Sequence, residues 1–155
     1  MTTSTSDERQ AFTAEERAAM KERSREIRAA GKRMSAAQKA AEAARAVTAK
    51  IDEMTGRDRD LAKKVHTIVT TNAPQLAPRL WYGMPAYGLN GDVVCFFQDA
   101  AKFKARYATL AFSDRAELDD GHMWPAGFAL IEITDDVEKQ IATLVRRAVG
   151  AAEHS

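Results

Sequence analysis

The chain has 155 residues, 45% apolar and 29% charged, with a net charge of +1. That length suits one domain with a real core, and the balanced surface carries no bias toward nucleic acid or membrane. A lone cysteine, Cys95, excludes an intramolecular disulfide framework and a multi-cysteine zinc site, and no run approaches the ~18 apolar residues of a membrane span. Met1 to Ser6 is polar and no apolar block follows, so a cytoplasmic setting is expected.

From Met1 to Ala49 the sequence has one aromatic (Phe12), one glycine (Gly31), no proline, and many Ala, Glu, Lys and Arg, which is strong helix-forming stock. Thr13-Ala14-Glu15-Glu16 fits a capping box and predicts a first helix from Ala14 to Ala30. Gly31 suits its left-handed C-terminal residue, and Ser35 starts a second helix to about Met54. Met20, Ile27 and Met34 recur every seven residues, with only alanines as apolar residues between them. Residues 1–50 carry eleven Lys and Arg against seven Asp and Glu. This segment, 1–48, reads as a helical extension: either a solvated arm or a docking helix that joins copies into a homo-oligomer or meets another protein.

Residues 49–155 read as an α+β domain. Thr55-Gly56-Arg57-Asp58 opens a helix with Leu61, Val65, Ile68 and Val69 on one stripe, ending near Asn72 ahead of Pro74. Strands are predicted over Leu80–Tyr87, Val93–Gln98, Ala105–Phe112 and Phe128–Ile133. The first pair is joined by Asn90-Gly91, a strong hairpin signal because both turn residues need positive φ. Gly121–Gly127 reads as a loop, and a last helix runs from about Asp136 to Ala152. Helices, clustered strands, then a helix predict an antiparallel sheet with helices on one face.

No phosphate loop, dinucleotide fingerprint, nucleophile elbow or paired-histidine zinc motif occurs. Proton transfer by Tyr82, Asp119 or His122 stays open as enzyme chemistry, without a geometry to support it. Cys95 lies among Val93, Val94, Phe96 and Phe97, where a cysteine behaves as a small hydrophobe rather than a reactive thiol. In the loop Asp114–His122, Asp119, Asp120 and His122 offer oxygen and imidazole donors to a divalent metal, or else form a solvated turn around a short capped helix. If Leu80–Tyr87 is a regular strand, Trp81 and Tyr87 share one face and Tyr82 and Met84 the other. With Lys104, Arg106 and Tyr107 near by, these rings form either core or a shallow groove for a small anionic or aromatic ligand.

Tyr82-Gly83-Met84-Pro85-Ala86-Tyr87, then Cys95-Phe96-Phe97 and Phe103-Lys104-Ala105-Arg106-Tyr107, resembles the YdhG-like family of small bacterial proteins. The resemblance spans about Ala49 to Val149, with the N-terminal helices as an extension. It implies helices against an antiparallel sheet, in a layout similar to frataxin, and in one branch an intracellular iron chaperone. A frataxin-type acidic ridge would fall on Asp52, Glu53, Asp58 and Asp60, which are interleaved here with Lys50, Arg57, Arg59, Lys63 and Lys64. The residues thus favour a non-catalytic ligand-binding domain, with iron binding and protein docking as the alternatives.

Overall fold

Helix α1 (Ala14–Glu53) starts where the capping box places it, with the Glu16 amide donating to the Thr13 hydroxyl at 3.1 Å. The computed structural model describes residues 13–150. The helix does not stop at Gly31. It runs 40 residues without a break, and Gly31 is not among the positive-φ glycines. One interior glycine costs about 1 kcal/mol against alanine, too little to end a helix with good formers on both sides. The two predicted helices are therefore one.

Contacts divide the chain into two units, Met1–Lys39 and Ala40–Ser155. In the first, nearly every described residue of α1 is exposed, with Met20 at 55% and Ile27 at 64%. The boundary expected at 48/49 falls inside the second unit, because Val47 and Ile51 of the same helix are core residues.

The second unit continues with α2 (Gly56–Asn72) and five strands: β1 (Ala77–Trp81), β2 (Met84–Leu89), β3 (Asp92–Gln98), β4 (Ala108–Phe112) and β5 (Gly127–Leu130). Helix α3 (Asp135–Ala148) is the last described element, capped by the Thr134 hydroxyl, which accepts from the Val137 amide. Its predicted end at Ala152 lies outside the described residues. The strands form an antiparallel meander in the order β1-β2-β3-β4-β5. The fold is α+β, as the order of elements predicts.

One sheet face carries the core. Tyr87, Cys95, Phe97, Leu110, Phe112 and Leu130 cluster with Val47 and Ile51 of α1, the Leu61–Val65–Ile68–Val69 stripe of α2, and Ile141 and Val145 of α3. The Arg146 guanidinium donates to the Asn72 side-chain oxygen at 2.6 Å, tying α3 to the end of α2. The Asn90-Gly91 turn forms as predicted, with φ of +54° and +87° and Leu89 opposite Asp92. Between Tyr87/Cys95 and Gly88/Val93 the register slips by one, so Val94 is an extra residue. Such a bulge lets two successive side chains turn inward, and Val94 and Cys95 are both buried.

The predicted strand Leu80–Tyr87 is broken. Tyr82 and Gly83 take φ of +51° and +74°, and Trp81 pairs with Met84, so Tyr82-Gly83 is itself a two-residue hairpin turn between β1 and β2. Pro85 follows safely, since β2 pairs with β3 only from Ala86 onward and its missing N–H costs that ladder nothing. The strand predicted over Ala105–Phe112 begins only at Ala108, leaving Arg106 and Tyr107 in the preceding loop.

Candidate functional site

The sheet face opposite the helices is built from residues that alternate with the core set. Trp81 lies opposite Met84, and Ala86 lies opposite Phe96 and Arg79. Met84 and Ala86 are buried there without joining the helix-side core. The Trp81 ring sits 5.0 Å from Phe96 and 4.9 Å, edge-on, from Tyr82. The Tyr82 side of this cluster is open, with Tyr82 at 78% exposure. Lys102 closes the turn: its ammonium donates to the Tyr82 carbonyl at 2.6 Å and lies 5.5 Å over the Phe103 ring.

Beside Trp81, toward the Asn90-Gly91 turn, the face holds a cleft of about 280 Å³ lined by Arg79, Trp81, Asp92, Ser113, Asp114 and Arg115, so two carboxylates face it as well as two guanidinium groups. Arg79 is on Trp81's face because it lies two residues earlier in β1. Its guanidinium donates to the Gly91 carbonyl at 3.4 Å, and its Nε is buried without a hydrogen-bond partner. Arg115 pairs with Asp92 at 3.7 Å. Among the described residues, Arg79 has no carboxylate within ion-pair distance. The Ser113 hydroxyl is spent on the Val93 carbonyl and the Arg115 amide, which fixes the wall but leaves no free hydroxyl proton.

Of the seven residues predicted to form a groove, the structure brings together Trp81, Tyr82 and Met84. Tyr87 is on the other face, fully buried, its hydroxyl 2.9 Å from His66 Nδ1. The break at Tyr82-Gly83 leaves Trp81 and Tyr87 on opposite faces of the sheet. Lys104, Arg106 and Tyr107 are loop residues outside the cleft, with Arg106 stacked 5.2 Å over Tyr107. Sequence reasoning missed Arg79 and Arg115. The spacing of Arg79 from Trp81 was a legible signal, whereas Arg115 reaches the cleft only through sheet pairing.

Burial lowers the His66 pKa, and it raises that of Tyr87, with the neighbouring Cys95 adding to the rise. Burial also pushes Cys95 up to about 12, so it stays a thiol and behaves as a small core residue. Asp119, Asp120 and His122 are exposed, and among the described residues no three His, Cys, Asp or Glu side chains converge for a metal. The predicted short helix after Asp114 is a turn instead, organised by Ser113.

No protein-family model matches the chain, and neither does any curated protein or solved structure. No helix among the described residues is long and apolar enough to cross a membrane.

Proposed function

We propose that this is a non-catalytic protein that binds a small anion, a carboxylate or phosphate attached to a flat aromatic body, on the outer face of its sheet. Arg79 carries the reading: a cation beside Trp81, in a concave site, with no ion-pair partner among the described residues. A guanidinium presents paired N–H donors that match carboxylate and phosphate oxygens. The indole supplies an apolar surface on which a flat ring stacks. An occupant at Trp81 would sit against an already buried floor of Met84 and Ala86, so binding would not require the core to open. The YdhG-like kinship and a cytoplasmic setting belong to this reading. Their support is the Tyr82-Gly83-Met84-Pro85 element, now placed in the turn that frames the aromatic cluster, and the free, buried Cys95.

The test is a thermal-shift screen with aromatic carboxylates and phosphate monoesters, followed by titration of any stabiliser. Arg79→Gln should weaken its binding by about tenfold or more, since a charge-assisted hydrogen bond contributes about 1.5–3 kcal/mol. Trp81→Ala should weaken it similarly, and Lys104→Gln should leave it unchanged. Binding that survives both Arg79→Gln and Trp81→Ala removes the cleft from consideration.

A further inference from the structure

The N-terminal half of α1 poses a problem of its own. Apart from Ala30, every residue of Ala14–Lys39 whose exposure is described lies open to solvent. Most of a helix's stability in a protein comes from packing its apolar face, and along this segment the described part of that face is largely uncovered. Met20 and Ile27 are seven residues apart at 55% and 64% exposure, and Met34 continues the spacing in the sequence. Three residues beyond Ile27 and Met34 stand Ala30 and Ala37, small enough to let a second helix approach closely. In heptad terms the Met and Ile residues are a positions and the alanines d positions.

We infer that this segment pairs antiparallel with the same segment of a second copy of the chain. The charges select the direction. In a parallel pair Arg23, also a d position, would face Arg23 of the second copy across the seam, and no oppositely charged e and g residues would meet. In an antiparallel pair, Ile27 packs against Ala30 of the second copy and Met20 against Ala37, while position 23 falls opposite position 34, so that the two Arg23 residues no longer face each other. The flanking g positions then bring Glu26 beside Arg33 of the second copy, twice by symmetry. Opposite charges at flanking positions set partner and orientation in paired helices. The pairing is isologous, so it closes at two copies. It is independent of the ligand cleft, which lies wholly in the second unit.

Sedimentation equilibrium on the full chain across micromolar concentrations tests this. A monomer–dimer equilibrium is expected for the natural sequence. Ile27→Glu should leave only monomer, because it puts a charge into the seam. Glu26→Arg should raise the dissociation constant about tenfold by turning two attractive pairs repulsive. Glu26→Arg combined with Arg33→Glu should restore the dimer, a rescue that a parallel pair cannot give because the two positions do not meet there. A natural chain that stays monomeric at the highest concentration overturns the inference. So does a dimer unmoved by Ile27→Glu, or a swap that fails to rescue.

Discussion

Asp58 stands in the first turn of α2, yet its carboxylate does not serve that helix. Its two oxygens accept from the amides of Ala100 and Ala101, each at 3.0 Å, and so anchor the loop that leaves β3. Thr55, the N-cap residue, makes no side-chain cap bond either, so the Asp58 carboxylate acts on the loop alone. Asp58→Ala would leave two amides without their acceptor, and urea unfolding should register a loss of about 2–4 kcal/mol. Asp58→Asn keeps one acceptor and should lose roughly half as much. A second residue-scale effect concerns pH. Burial holds the His66 pKa below its ordinary 6.5. Protonation therefore favours the unfolded chain: this contribution is intact above 6.5, drains away as pH falls below it, and levels off below the folded value. Urea midpoints between about pH 8 and pH 5 should fall more steeply in the natural protein than in His66→Gln. Equal slopes would place the pH dependence elsewhere.

At the scale of elements, the turns separate what the sequence discloses from what it hides. Asn90-Gly91 was legible because asparagine and glycine both tolerate positive φ, and nothing else in a hairpin favours that pair so strongly. Tyr82-Gly83 forms the same kind of turn with a residue that pays about 1–2 kcal/mol for its left-handed backbone, so local preference pointed to a continuous strand. The Lys102 ammonium, twenty residues along the chain, holds the Tyr82 carbonyl there, a contact that only tertiary structure supplies, and the neighbouring Trp81 ring packs against Tyr82. Two departures separate the expected groove from the observed site: the break puts Tyr87 in the core, and the late start of β4 at Ala108 leaves Lys104, Arg106 and Tyr107 in a loop. At Gly83 a Cβ would run into the Lys102 ammonium at a backbone φ of +74°. Gly83→Ala should therefore destabilise by about 1–2 kcal/mol. Gly31 has the opposite character. It sits mid-helix, and an added Cβ would meet nothing within 4 Å. Gly31→Ala should raise helicity and stabilise α1 by up to about 1 kcal/mol. A loss of helicity would mean that Gly31 ends a helix after all.

For the whole molecule, the decisive question is where the folding unit begins, and composition alone misplaces it. The change from alanine-rich to aromatic-rich sequence suggests a boundary at 48/49, but helix α1 crosses that point and delivers Val47 and Ile51 to the core, with Met54 joining them just past its end. All three are at least 92% buried. At about 1.5–3 kcal/mol per buried side chain, they supply roughly 5–9 kcal/mol, comparable to the ~5–15 kcal/mol by which a domain is stable at all. A chain beginning at Ala40 keeps these residues and should unfold cooperatively, with a urea midpoint close to that of the full chain. One beginning at Thr55 loses all three and should not fold. The contrast separates a structural role for the last turns of α1 from the pairing role inferred for its first half, since the Ala40 chain should be folded yet monomeric. If the Thr55 chain folded as well as the Ala40 chain, α1 would be dispensable to the core and its burial there would stabilise little.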